Sequence, residues 1–197
     1  MSIDTHPKKL KGNWSEGFAL DVHTAESTYI GDNAFGRPIF DTKRSASGEL
    51  LYQLKYHNDK AALGPLAEAA ADLVKSWKIE PELLVPVPPS NPKRASQPVI
   101  EVARLLSEKL ELPLCVKCVL KTQSTPQLKD ILNFAERERI LRDAFTASKE
   151  LVSGKRILLF DDLFRSGATM NAVVRALKTA GSGHVYVLTL TCTRSLK

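Results

Sequence analysis

With 197 residues, 43% of them apolar, the chain has the size and composition of one folded domain with a modest extension, long enough to bury a real core. Lys and Arg outnumber Asp and Glu by 28 to 22, and the resulting +6 favours anionic partners without choosing between nucleotides, phosphates and nucleic acid. The opening MSIDTHPKKLKGNW lacks the apolar core of a signal peptide and no later run has the length of a membrane span, so a cytoplasmic protein with no membrane attachment is expected.

Residues 1–17 are polar and predict a mobile leader. Residues 18–56 mix short alternating runs with Gly, Asn, Asp and Ser, a pattern that predicts a hairpin or two instead of a core layer. From residue 57 to the end the pattern becomes that of a larger unit. Leu63, Leu66, Ala67, Ala70, Leu73, Val74 and Trp77 recur at three and four and predict a helix with one apolar face. ELLVPVP, residues 82–88, predicts a strand covered on both faces, and Val99, Val102, Ala103, Leu106 and Leu110 predict a second helix.

LPLCVKCVL, residues 112–120, predicts another strand, with Cys115 and Cys118 as half-buried thiols. Three cysteines are too few and too odd in number for a disulfide framework, and a structural zinc site would need two more good ligands. Residues 121–143 are charged and interrupted by Pro126, and predict a long excursion, part loop and part short helix. RILLF (156–160), a helix through Met170, Val173, Val174 and Leu177, and VYVLTLT (185–191) complete the series. This alternation builds a parallel sheet flanked by helices. The four histidines, at 6, 23, 57 and 184, have no ligand spacing and are expected to be structural or surface groups.

The chemistry concentrates in ILLFDDLFRSGATM, residues 157–170. In a parallel sheet the carboxyl ends of the strands face the ligand crevice, and Asp161 and Asp162 are expected at such an end. Arg165, Ser166, Gly167, Ala168 and Thr169 then turn into the next helix, where free backbone N–H groups, two hydroxyls and the helix dipole favour a phosphate. Gly167 allows close approach. The two carboxylates suit vicinal sugar hydroxyls, so a phosphorylated ribose satisfies both halves of the motif. The plainer alternative is that one aspartate caps the helix and SGAT is a small-residue turn. Gly154-Lys155 lacks the rest of a P-loop, and Gly181-Ser182-Gly183 precedes a strand, as a helix C-cap does.

LLFDDLFRSGAT resembles the signature of the type I phosphoribosyltransferases. That resemblance implies a Rossmann-like α/β fold with a central, mostly parallel sheet flanked by helices and a small N-terminal hood. It implies that Asp161 and Asp162 hold the ribose hydroxyls of phosphoribosyl pyrophosphate and that Arg165 to Thr169 form the 5-phosphate loop. Arg165 and Phe164 depart from the small and aliphatic residues usual there. LVPVPPSNPKR with Gln97, STPQ and AERERILRDAF is similar to the ComF branch, related in turn to amidophosphoribosyltransferases. This implies a pyrophosphate side at Pro89, Ser90, Asn91, Lys93 and Arg94, and a flexible flap carrying Lys121, Arg137 and Arg139. The four-cysteine zinc element common in that branch is missing.

On this resemblance Mg²⁺, held mainly by the substrate with no dedicated protein site, serves as the electrophile in transfer to an unidentified nitrogen acceptor. Lys55 is a candidate for the hood over that acceptor. The alternating acids and bases around Arg137 and Arg139 also fit a solvated helix. A second hypothesis is a non-catalytic ComF-like protein that uses the fold as a sensor or scaffold in DNA uptake or regulation. Nucleic acid as main ligand is disfavoured, because basic and acidic residues interleave and no aromatic-rich basic stripe is present. A homodimer is compatible with the sequence.

Overall fold

The computed structural model describes residues 3–89, 91, 96–122, 140–141 and 143–194. A five-stranded sheet forms the centre, in the spatial order β1 (Lys8–Lys9), β2 (Glu16–Val22), β9 (Val185–Cys192), β8 (Ile157–Phe164) and β5 (Leu83–Pro86). The pairs β2 with β9, β9 with β8, and β8 with β5 are parallel, and β1 runs antiparallel along one edge. The expected α/β architecture is therefore present.

Strand periodicity assigns the layers, because successive side chains leave opposite faces of a sheet. Ala19, Val85, Ile157, Leu159 and Val187 pack on one face with Val173, Val174 and Leu177 of α5 (Ala168–Thr179). Leu20, Leu84, Leu158, Phe160 and Leu188 pack on the other. That face is covered by α1 (Ala46–Tyr56), α2 (Leu63–Ser76) and α3 (Pro98–Leu110), whose apolar residues at three-and-four spacing meet it. Pro98 opens α3, where a missing N–H costs nothing.

The N-terminal region departs most from expectation. The predicted leader is built in: Lys8 and Lys9 pair with Ala19 and Phe18, Leu10 is 3% exposed and Trp14 is 8% exposed. A single Trp and a single Leu in a polar stretch show no period, so their burial is invisible until the body that receives them is formed. β2, inside the central sheet, takes its first two residues from the predicted leader and residues 18–22 from the predicted hairpin and hood region. The hairpin exists only further on, as β3 (Thr24–Asp32) and β4 (Pro38–Arg44), paired with each other and with no other strand. Residues 46–56, also read as hairpin, form α1. Its N-cap, Ser45, accepts from Gly48 N at 3.0 Å and donates to Val22 O at 2.5 Å.

The strand expected over 112–120 is broken. Only Leu114 bridges to Leu84, and after a turn the chain enters a separate ribbon of β6 (Val119–Lys121) and β7 (Phe145–Ala147). Cys115 and Cys118 are joined by a disulfide, in place of the expected thiols, and the loop they close occupies the break. A short helix, α4 (Lys149–Val152), leads from β7 toward β8.

Candidate functional site

The strand carrying Asp161 and Asp162 does not stop on them. β8 continues to Phe164, with Asp161 opposite Thr189, Leu163 opposite Thr191 and Phe164 opposite Cys192. Beyond the apolar core, β9 supplies hydroxyls that suit polar neighbours: Thr191 Oγ1 donates to Asp162 O at 3.2 Å. Thr193 N and Oγ1 donate to Phe164 O at 2.9 Å and Arg165 O at 3.0 Å, which anchors the loop that follows.

The pleat separates the two aspartates. With Ile157 and Leu159 facing α5, and Leu158 and Phe160 facing the other helices, Asp161 falls on the α5 side and Asp162 on the α1 side. Asp161 accordingly lines a cavity with Leu163, Phe164 and the whole segment Arg165, Ser166, Gly167, Ala168, Thr169 and Met170. Asp162 meets Lys55 of α1, with Nζ 2.8 Å from Oδ2. The Asp162 N–H donates to Asp161 Oδ1 at 2.8 Å. Burial first, and the Asp162 carboxylate second, push the Asp161 carboxyl up to about 8, against the opposing pull of Lys55.

Gly167 has φ 78° and ends the loop as the N-cap of α5, and no side chain caps that helix. Its carbonyl accepts from Asn171 N at 2.8 Å, and the first residues of the helix, Ala168, Thr169 and Met170, line the cavity at the positive end of the helix dipole. A Cβ on Gly167 would lie 2.9 Å from Phe164 Cζ. Phe164 in turn packs edge-on against Trp14, ring centroids 5.9 Å apart. The bulky residue at 164 thus has a partner from the N-terminal segment. Arg165 is exposed among the lining residues.

Other expected residues are placed less centrally. Pro89 is partly buried beyond β5, and Asn91 O accepts from Gln97 Nε2 at 3.0 Å. Ser90, Lys93, Arg94, Arg137 and Arg139 lie outside the described residues. Lys121 ends β6 on the separate ribbon, opposite Phe145, and does not line the cavity; burial lowers its ammonium below the usual range.

The structure adds neighbours that the sequence reading passed over. His23, at the end of β2, shares a hydrogen bond of 3.3 Å between Nδ1 and Thr191 Oγ1. Burial, then Arg44, then Lys55 lower its imidazole below the usual range, while Asp162 and Glu49 pull the other way. Arg44 lies 3.7 Å above the Tyr52 ring and 3.2 Å from Glu49. A lone His after FALDV carries no local signal, since its neighbours come from β4, α1, β8 and β9.

A helix start with no side-chain cap, beside an aspartate at the carboxyl edge of a parallel sheet, lies within the stretch 55–194 that the sequence family phosphoribosyl transferase domain matches. The chain belongs to this family. Among solved structures, this family member is similar to the glutamine phosphoribosylpyrophosphate amidotransferase from B. subtilis complexed with ADP and GMP, at 20% identity and TM-score 0.51. That likeness covers 80% of this chain and 34% of the amidotransferase, so the chain spans about a third of that protein's length. It is also similar to the APRTase from Giardia lamblia complexed with 9-deazaadenine, at 14% identity and TM-score 0.47, over 84% and 80% of the two chains. No curated protein matches it. Among the described residues, no helix is long and apolar enough to cross a membrane.

Proposed function

We propose that this phosphoribosyltransferase-family protein binds Mg²⁺-phosphoribosyl pyrophosphate and transfers the phosphoribosyl group to a nitrogen nucleophile, releasing pyrophosphate. The observation that carries the reading is the uncapped start of α5 behind Gly167, opening into one cavity with Asp161. In this reading the α5 amides and the Ser166 and Thr169 hydroxyls hold the 5-phosphate. Asp161 and Asp162 hold the ribose hydroxyls, Asp161 as a neutral acid that can both donate and accept. The nitrogen lone pair forms the bond to C1, the C1–O bond breaks, and its electron pair leaves with pyrophosphate.

Mg²⁺ carried by the diphosphate would neutralise charge on the leaving group. In this reading the ion arrives with the substrate: burial raises the Asp161 carboxyl above the usual range and so disfavours it as an ionised ligand, and the Asp162 carboxylate is already engaged by Lys55. The narrower kinship with ComF and amidophosphoribosyltransferases is proposed on LVPVPPSNPKR with Gln97, STPQ and AERERILRDAF.

Calorimetric titration with phosphoribosyl pyrophosphate, with and without Mg²⁺, tests the reading beside an Asp161→Asn, Asp162→Asn double variant. Metal-assisted binding that the variant loses is expected; a folded wild type that binds nothing would sink it. A sensor without turnover is favoured by one observation, the prior engagement of Asp162 by Lys55. Tight binding with no pyrophosphate release across a panel of nitrogen nucleophiles would select it.

A further inference from the structure

Lys55 is the first residue of the stretch matched by the family, so nearly all of the helix that presents it, and everything before that helix, lies outside the match. The local structure nevertheless aims it with care. Ser45 ties the start of α1 to Val22 O at 2.5 Å, and the Ser45 N–H reaches His23 O at 3.4 Å. At Gly48 the helix approaches so closely that a Cβ would fall 2.1 Å from His23 O. Leu51 and Leu54 are buried below it. Lys55 follows Gly48 by two helical turns, which returns it to the same face, toward the carboxyl edge of the sheet.

There its ammonium meets Asp162 Oδ2 at 2.8 Å, with the Lys55 and Asp162 side chains only 24% and 16% exposed. Around this contact stand Asp161 on β8, Glu49 on α1, His23 just after β2, Arg44 on β4, and the Thr191 hydroxyl on β9. The charges acting on Asp161 are Asp162, which opposes its ionisation, and Lys55, which favours it. One cation therefore serves both carboxyl groups.

We propose that Lys55 is a positioning residue of the ribose site: its ammonium takes one oxygen of Asp162 and so orients the other toward the ligand, coupling hydroxyl recognition to the seating of α1 on β2. This rests on the phosphoribosyl reading of the site and gives the N-terminal part of the chain a share in it. A surface lysine that only adds solubility would leave the aspartates indifferent to its loss.

The test uses the full chain and two variants, Lys55→Met, which keeps an unbranched stem without the charge, and Lys55→Arg, which keeps the charge. Thermal melting confirms that each folds. First, the ¹³Cγ titration of Asp161 is followed by NMR, with the resonance assigned through Asp161→Asn. The midpoint is expected to rise by about one pH unit in Lys55→Met and to stay with the wild type in Lys55→Arg. Second, calorimetry with Mg²⁺ and phosphoribosyl pyrophosphate is expected to show binding at least about tenfold weaker in Lys55→Met and within about threefold of wild type in Lys55→Arg.

An unmoved Asp161 midpoint in Lys55→Met, or unchanged affinity for phosphoribosyl pyrophosphate, overturns the proposal. If the wild type binds no phosphoribosyl pyrophosphate, the transfer reading falls alone, and the NMR midpoint still decides whether Lys55 holds the aspartate pair.

Discussion

The two sides of the aspartate pair are built differently. On the α5 side, Asp161, the loop and the helix start that line the cavity all come from one short stretch, residues 161–170. On the α1 side, Asp162 meets groups drawn from β2, β4, α1 and β9, and no short window of sequence contains two of these elements together with the aspartate. A phosphate cradle needs consecutive backbone N–H groups, so it can be written locally. An ion pair that orients a carboxylate needs a side chain from outside the strand.

That contrast can be broken first at Trp14. If the α5 side were wholly local, Trp14→Ala would matter little to it. Because Trp14 is buried and packs on Phe164, the substitution is instead expected to cost about 3–4 kcal/mol and to loosen the loop above it. Chemical denaturation measures the first effect, and hydrogen exchange at residues 165–170 the second. A melting temperature equal to wild type would mean that the N-terminal segment lies outside the cooperative unit.

Gly167→Ala probes the local element directly. A left-handed conformation and a methyl group 2.9 Å from the Phe164 ring together predict a loss of about 2–3 kcal/mol, or a melting temperature lower by about 5–10 °C. Binding of phosphoribosyl pyrophosphate should weaken by more than about tenfold. An alanine variant as stable as wild type would show that the loop has room the structure denies.

Asp161→Asn sharpens the comparison through pH. A carboxyl raised to about 8 in the fold and near 3.8 unfolded is protonated in both states at low pH. As pH rises from about 4 to 8 the unfolded chain loses the proton first, so this group's contribution to stability falls with rising pH. Asn cannot ionise, and the variant should gain about 1–3 kcal/mol over wild type at pH 8.5 and little at pH 4. Melting curves across that range test it, and a gain confined to low pH would reverse the sign and refute the assignment.

The smallest effect is expected at Ser45, on the assembled side. Ser45→Ala removes the cap of α1 and its tie to Val22, at about 1 kcal/mol. Asp161 should then titrate slightly higher, because Lys55 is less firmly held. If stability falls with no change at Asp161, the seating of α1 and the charge at the site are independent.

The helices at 63–76 and 98–110 and the strands at 83–86 and 185–192 were legible because burial of one face imposes a period on the sequence. β2 and α1 were not, since short runs broken by Gly and Ser suit a hairpin as well as a strand followed by a capped helix. Within GELLYQLKYH the periodic residues Leu51 and Leu54 are outnumbered by polar and aromatic neighbours. Three cysteines argue against a disulfide framework, whereas a bond between Cys115 and Cys118 needs only that the chain turn at that point.

Sequence alone determined the α/β alternation, the pair Asp161–Asp162 and the glycine-bearing entry to α5, because each depends on hydrophobic period or on the backbone freedom of neighbouring residues. Tertiary structure alone decided that Trp14 supports Phe164, that the two aspartates face opposite sides of the sheet, and that Lys55 and His23 meet at the second of these sides. Those contacts join residues far apart in the chain, and only the packing of α1 and β2 against β8 and β9 makes them neighbours.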